Sequence, residues 1–190
     1  LRYLDVFQML FYATAVSAAL LLAILVAQGK LGLLRTYSRD QYARPAALGL
    51  LSPAVYYIVL FRAYSLLPAQ EAQPLNMVWP LVIVVLSVPL MGQRFGWVTI
   101  VAMLVSFFGI LVISTRGDVL GLDFTSVQGT VLALGSAFLW ALYWISNAKD
   151  ERDVVAKLFL SFTFGLVFVT IAVAAFSDFR VQDTRGLVGA

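Results

Sequence analysis

Long apolar runs separated by short polar segments dominate the chain. Two of them, Met9 to Ala27 and Leu158 to Phe176, contain 19 residues each and no charged side chain. A 19-residue α-helix is about 28 Å long, close to the hydrocarbon thickness of a bilayer. Barrel strands would be shorter and would alternate in polarity, so the runs predict membrane-spanning helices. The six predicted spans cover residues 9–27, 46–67, 75–91, 95–114, 130–146 and 158–176.

The composition of the 190 residues supports this prediction. Hydrophobic residues make up 62% of the chain, charged residues 12%, and the mean hydropathy is +0.92. A soluble domain of this size could not bury so much apolar surface. The chain has neither cysteine nor histidine, which excludes disulfides, thiolate chemistry and histidine-based metal or acid–base sites. We therefore predict an all-α integral membrane protein without metal, cofactor or catalytic residues. Membrane lipids are the partners that this composition predicts, and it does not suggest nucleic acid.

Basic residues concentrate in alternate loops. The loops at 30–44, 92–94 and 147–157 hold eight of the 13 Lys and Arg residues. Cytoplasmic loops of membrane proteins carry such an excess of positive charge. We therefore expect a multi-pass protein of the cell inner membrane with these three loops in the cytoplasm, so that the first span runs from outside to inside.

A short pattern at the start of span one recurs at the start of span six. Asp5, Val6, Leu10 and Phe11 recur as Asp153, Val154, Leu158 and Phe159, 148 residues later. A chance match between Leu-, Val- and Ala-rich helices is the alternative. Five helices separate the two starts, and an odd number inverts the second copy, as in the repeats of secondary transporters. The charges also agree with an inverted second copy. Loop 30–44 is basic, whereas the corresponding segment from Asp178 onward carries balanced positive and negative charge.

The register of this repeat predicts further helices around the chain. Span five requires a mate before Leu1, and spans two to four require mates after Ala190. We expect ten helices in two inverted five-helix repeats, of which six are visible. Residues 1–127 would hold helices two to five of the first repeat, and residues 128–190 would begin the second. A start at Leu1 instead of Met also suggests part of a longer polypeptide.

Several motifs between residues 61 and 143 carry a resemblance to a known family. They are Phe61 to Ala69, Glu71-Ala72, Trp79-Pro80-Leu81, Gly92-Gln93-Arg94, Phe108 to Ile113 and Gly129 to Tyr143. Together they resemble the drug/metabolite transporter superfamily of EamA type, and the Pro68 to Leu81 pattern is similar to its bacterial aromatic amino-acid exporters. The resemblance implies ten helices and export of small metabolites. Gln93 departs from the acidic residue that the family often has there, so a role for that carboxylate in gating or helix pairing is not implied.

Polar and aromatic side chains inside the spans are the candidates for a transport cavity. Indole and phenol rings combine a large apolar area with one polar group, which suits a bulky amino acid. Pro80 removes a helical N–H and predicts a kink. The predicted substrate-binding residues are Tyr56 and Tyr57 on span two, Asn76 and Trp79 on span three, and Trp140, Tyr143 and Trp144 on span five.

Each of these candidates has a structural alternative. Trp and Tyr near helix ends commonly anchor a protein at the membrane interface, which applies most directly to Trp144. Asn76 could serve only to hydrogen-bond a neighbouring helix. Small residues spaced by four predict close helix packing: Gly129, Ala133, Ala137 and Ala141 on span five, and Ala102 and Ser106 on span four.

Four charged residues lie near the ends of predicted spans, and we expect specific contacts for each of them. Arg62 and Glu71 flank the short outer turn at Pro68, and a charge at the bilayer centre costs about 2.5–3.5 kcal/mol. We expect an ion pair across the hairpin, which either contacts the charged groups of a substrate during gating or locks the turn. Asp5 and Asp153 are expected to cap the helices that they precede.

These observations favour a secondary transporter that exports amino acids, including aromatic or bulky apolar ones, by alternating access. We expect it to be a monomer whose partners are a small-molecule substrate and membrane lipids, not nucleic acid. Export of other metabolites or drugs is the alternative. An enzyme is less favoured, because the acidic cluster from Asp150 to Asp153 is interleaved with basic residues as in a solvated loop. The sequence contains no phosphate-binding glycine loop, so ATP is not expected to drive transport by this chain. It also contains neither a ring of like charges nor a filter loop, the features that would indicate a channel. Arg62 alone lies within a span, which disfavours anionic substrates. Proton coupling through Glu71 and facilitated export both remain open.

Overall fold

A computed structural model describes residues 5–121 and 123–177, and every regular element within them is helical. Six helical segments are long and apolar enough to cross a membrane, as predicted. They are Val6–Ala27, Arg39–Leu66, Ala69–Met91, Trp97–Ser114, Val127–Ala148 and Val154–Phe176. The described residues form two compact units, the first made of residues 5–57 and 150–177 and the second of residues 58–121 and 123–149.

The first unit is built around span six. Helices α1 (Val6–Ala27) and α3 (Arg39–Gly49) both pack against span six, Val154–Phe176, and a short helix α2 (Leu31–Thr36) lies between α1 and α3. The capping prediction is confirmed at both ends of the repeat pattern. Asp5 accepts hydrogen bonds from the first turn of α1, and Asp153 does so from the first turn of span six.

Span two and span six approach each other closely at two glycines. A Cβ atom on Gly49 would lie 2.3 Å from the carbonyl oxygen of Ser161, and one on Gly165 would lie 2.5 Å from Cδ of Pro53. Only glycine permits contacts this close. After Gly49 the chain forms a π-helical segment, Leu50–Val55, with non-helical backbone at Ser52, before α4 (Tyr56–Leu66) begins.

The second unit is organised around span five. Helix α5 (Ala69–Asn76), helix α6 (Trp79–Met91) and helix α7 (Trp97–Ser114) precede α8 (Val127–Ala148), and both α5 and α6 pack against α8. Helix α9 (Val154–Phe176), which is span six of the first unit, follows α8 along the chain. Span three thus consists of two helices, and its break lies at Met77 and Val78. Pro80 lies in the first turn of α6, where its missing N–H leaves no hydrogen bond unmade.

The predicted packing stripe on span five is confirmed, whereas the one on span four stays a prediction. Gly129, Ala133, Ala137 and Ala141 are all buried, and a Cβ atom on Gly129 would lie 2.6 Å from Cγ of Leu67. Ala102 and Ser106 are exposed, because no other described helix covers that side of α7.

Candidate functional site

A buried polar pair joins spans three and five. Asn76 ends α5 immediately before the helix break, and its Nδ2 donates to Ser136 Oγ at 2.9 Å. Ser136 Oγ in turn donates to the carbonyl oxygen of Ala133. Asn76 is 2% exposed and Ser136 fully buried. The helix-to-helix hydrogen bond considered for Asn76 is therefore present, while its contact with a substrate stays a prediction.

Three aromatic residues form a cluster on one side of α8. The ring of Trp140 stacks on Tyr143 with centroids 5.5 Å apart and meets Trp144 edge to face at 6.2 Å. Residues three and four positions apart in a helix are neighbours, which is why the sequence spacing produces this contact. Tyr143 is buried and Trp144 is 48% exposed. We refer to these three residues as the aromatic cluster.

Trp79 lies at the packed contact between spans three and five. The half-buried indole packs against a core cluster formed by Val78 and Val82 of span three with Ala137 and Ala141 of span five. Trp79 therefore packs against a core cluster to which span five, the helix of the aromatic cluster, contributes two alanines.

Tyr56 and Tyr57 belong to the first unit, whereas the residues described above belong to the second. Their rings contact each other edge to face with centroids 4.8 Å apart. Tyr57 also packs against a core cluster that includes Leu10, Ala54 and Val169. Their predicted role in substrate binding stays a prediction.

An open cavity of about 510 Å³ lies where α6 ends, α7 begins and α8 ends. Its polar lining residues are Ser87, Gln93 and Thr99, and Trp144 of the aromatic cluster also lines it. The other lining residues are apolar: Ile83, Val84, Met91, Phe95, Ile145 and Ala148. We call this space the Gln93 cavity. The sequence singled out Gln93 and Trp144 separately and gave no signal that Ser87 and Thr99 would join them.

Gly92 shapes the turn beside this cavity. Its φ of 69° lies in the left-handed region that favours glycine. In this conformation Gly92 N–H donates to the carbonyl of Val88, a bond typical of a helix that ends in a left-handed residue, and Gln93 N–H donates to the carbonyl of Ser87 at 3.3 Å. The backbone of Gln93 is thereby tied to the last turns of α6.

Glu71 forms an ion pair, although not with the predicted partner. Its carboxylate, 2% exposed, accepts hydrogen bonds from Arg116 Nη2 at 2.8 Å, Thr125 N at 3.1 Å and Thr125 Oγ1 at 2.8 Å. The expected Arg62–Glu71 pair is wrong, because Arg62 is exposed and reaches only Ser65 Oγ, at 3.5 Å. Arg116 lies 45 residues from Glu71 in a loop, so no helix periodicity could have linked the two.

The acidic segment after span five is not simply a solvated loop. Asp150 is 5% exposed, and its two oxygens accept from Arg152 Nε at 2.8 Å and Nη2 at 2.5 Å. These hydrogen bonds lower the pKa of the Asp150 carboxyl below its ordinary value. Lys30 Nζ contacts Asp153 at 2.6 Å, which together with the helix N–H groups lowers the pKa of Asp153. Both pairs lie within the first unit, and the Lys30–Asp153 pair ties the 30–44 loop region to the start of α9.

No metal site is found in residues 5–121 and 123–177, since no three acidic side chains there lie close enough to hold an ion. Among the described residues of the second unit, the charged side chains lie in the connecting loops and near helix ends, apart from Arg62 within α4. This arrangement suits binding of an uncharged or zwitterionic molecule better than acid–base chemistry.

Comparison with known proteins gives two matches. The EamA-like transporter family matches residues 1–115, which is more than half of the chain. The aromatic amino acid exporter YddG of Ancylobacter novellus is 28% identical to the chain over 110 residues. This alignment covers 56% of the chain and 38% of the exporter, so the matched region spans less than half of that relative. No solved structure matches the chain significantly.

Proposed function

Because the chain belongs to the EamA-like transporter family, we propose that it is a secondary transporter that exports amino acids with aromatic or bulky apolar side chains. The family consists of transporters, so the enzyme alternative no longer stands. The chain is a multi-pass membrane protein. Export of other metabolites or drugs is the second candidate, because neutral polar groups and aromatic rings would also bind other uncharged solutes.

The observation that carries the proposal is the arrangement of spans three and five. A buried Asn76–Ser136 pair adjoins the break in span three, and Trp79 packs on the helix that carries the aromatic cluster. Interrupted helices at membrane depth are typical of transporter binding sites. The matched exporter is named for aromatic amino acids, which agrees with a lining of this kind.

The architecture proposed for the whole protein follows the sequence repeat. It has ten helices in two inverted five-helix repeats, with residues 1–127 in the first and 128–190 in the second. The segment from Asp178 onward, the proposed mate of loop 30–44, lies outside the described residues. The protein would be a monomer in the inner membrane, surrounded by lipid, with loops 30–44, 92–94 and 147–157 in the cytoplasm.

Transport by alternating access would expose a central aromatic-lined cavity to each side in turn. Trp79, Asn76 and the aromatic cluster are its proposed lining in the second unit. Tyr56 and Tyr57 of the first unit are proposed to contact substrate as a separate hypothesis. Arg62 and Glu71 are proposed to act in gating, Glu71 through its pairing with Arg116. Export is either proton-coupled or facilitated, and the experiment below separates the two.

The test is uptake by proteoliposomes that contain the full-length protein. The panel comprises aromatic, aliphatic and charged amino acids and a nucleotide-sugar, each with and without a proton gradient. We expect uptake of aromatic amino acids, and loss of it in Trp79→Ala. Trp97→Ala is the matched control, because Trp97 is 75% exposed at the start of α7. Absence of uptake of every amino acid by a monodisperse protein would refute the amino-acid assignment and favour the second candidate.

A further inference from the structure

The Gln93 cavity combines a suitable size with mixed chemistry. Its volume of about 510 Å³ falls within the range of about 300–1,000 Å³ typical of small-molecule sites. Two neighbouring cavities of about 450 and 360 Å³ in the same unit are lined by apolar residues, such as Val85, Met103 and Leu104. Such walls suit lipid chains, which leaves the Gln93 cavity as the one of these three that could bind a polar solute.

The lining of the Gln93 cavity matches an aromatic zwitterion. Trp144, 48% exposed, offers an indole surface to an aromatic side chain. The carboxamide of Gln93 can donate to a carboxylate and accept from an ammonium group, and the hydroxyl of Thr99 can do both as well. The hydroxyl of Ser87 already donates to the carbonyl of Val84, so it can only accept. Among the residues that the structure describes, no charged one lines the cavity, so neither end of a zwitterion is repelled there.

The walls of the cavity are held in place before any ligand binds. The left-handed Gly92 and the hydrogen bond from Gln93 N–H to Ser87 O fix the turn between α6 and α7. The ring of Trp144 is held by its edge-to-face contact with the ring of Trp140. A site fixed in this way loses little conformational entropy when a ligand binds.

We propose that the Gln93 cavity is the loading site at which the transporter first binds an aromatic amino acid from the cytoplasm. This inference rests on the proposed function and on the proposed cytoplasmic position of loop 92–94. An exporter takes up its substrate on that side, and the cavity opens beside that loop. Gln93 would therefore govern cytoplasmic affinity, and Trp144 would be shared between this loading site and the proposed central cavity at Asn76 and Trp79.

Binding to the full-length protein tests the site directly. The probe is 4-nitrophenylalanine, whose nitrophenyl group quenches nearby tryptophan fluorescence. We expect Gln93→Met to weaken binding at least tenfold, and Trp144→Phe to remove most of the quenching. Gln70→Met is the matched control, because Gln70 is exposed at the opposite end of span three. Parent-like affinity and quenching in both cavity variants would overturn the loading site.

Transport kinetics supply a readout that a merely structural role would not change. In vesicles of known orientation, Gln93→Met should raise the half-saturating concentration for substrate added at the cytoplasmic side and leave the outer side unchanged. An equal effect from both sides would contradict the proposal. Quenching of Trp144 by brominated phospholipid that the amino acid does not relieve would assign the cavity to lipid instead. If no aromatic amino acid binds or is transported by the parent protein, the proposed function itself fails.

Discussion

Replacement of Glu71 by Gln tests whether one buried carboxylate holds the loop after span four against the start of span three. Glu71 is 2% exposed and accepts three hydrogen bonds, from Arg116 and from the N–H and hydroxyl of Thr125. Gln keeps the shape of the side chain but is neutral, and its amide nitrogen turns a donor toward groups that are themselves donors. The change therefore removes the charge with little change in volume.

The expected loss of stability follows from the exposure of each partner. Arg116 has a side chain 61% exposed, so its guanidinium returns to water and its share of the loss is small. The two Thr125 donors lose bonds to a charged group, worth about 1.5–3 kcal/mol each, and retain at best one neutral bond of about 0.5–1.5 kcal/mol. These figures allow a loss of about 1.5–5.5 kcal/mol, and we expect the lower part of that range, about 2–3 kcal/mol in the free energy of unfolding, because Thr125 is itself exposed. At about 2–4 °C per kcal/mol, the melting temperature should fall by roughly 4–12 °C.

The assay is thermal unfolding of the full-length protein in detergent. Asp123→Asn is the matched control, since Asp123 is an exposed acid in the same loop and the substitution changes the net charge equally. The control should melt with the parent protein. If Glu71→Gln melts within about 1 °C of Asp123→Asn, the carboxylate does not stabilise this loop and the reasoning is wrong.

Two further substitutions test contacts in the first unit by the same unfolding assay. Asp150→Asn should destabilise the protein by about 1–3 kcal/mol near neutral pH through loss of its charged hydrogen bonds, whereas Glu151→Gln, at an exposed site, should not. Because folding lowers the pKa of Asp150, its contribution to the free energy of unfolding is present above about pH 4 and is lost as pH falls through the folded-state pKa. A stability difference between variant and parent that stays the same in acid would contradict this. Gly49→Ala should cost about 1–3 kcal/mol or more, because its Cβ would lie 2.3 Å from the backbone oxygen of Ser161. Gly135→Ala meets open space and should be neutral or stabilising, so equal effects of the two alanines would refute close packing at Gly49.

The sequence by itself determined the features that a bilayer or a single helix turn imposes. Six spans could be predicted because the hydrocarbon core sets a helix length and forbids unsatisfied backbone. The caps at Asp5 and Asp153 could be predicted because they bond to N–H groups two and three residues away. The buried stripe from Gly129 to Ala141 followed from helical periodicity, which needs no knowledge of the partner helix.

Only the tertiary structure decided which distant groups meet. The partner of Glu71 is Arg116 and not the nearby Arg62, because packing brings the loop after span four onto the start of span three. Asp150 is buried among basic residues because the 30–44 region folds over it, although its neighbours in sequence suggest a solvated loop. Sequence spacing governs contacts within about one helical turn. Contacts between elements depend on the relative positions of whole helices, which is why the Gln93 cavity could not be read from the chain alone.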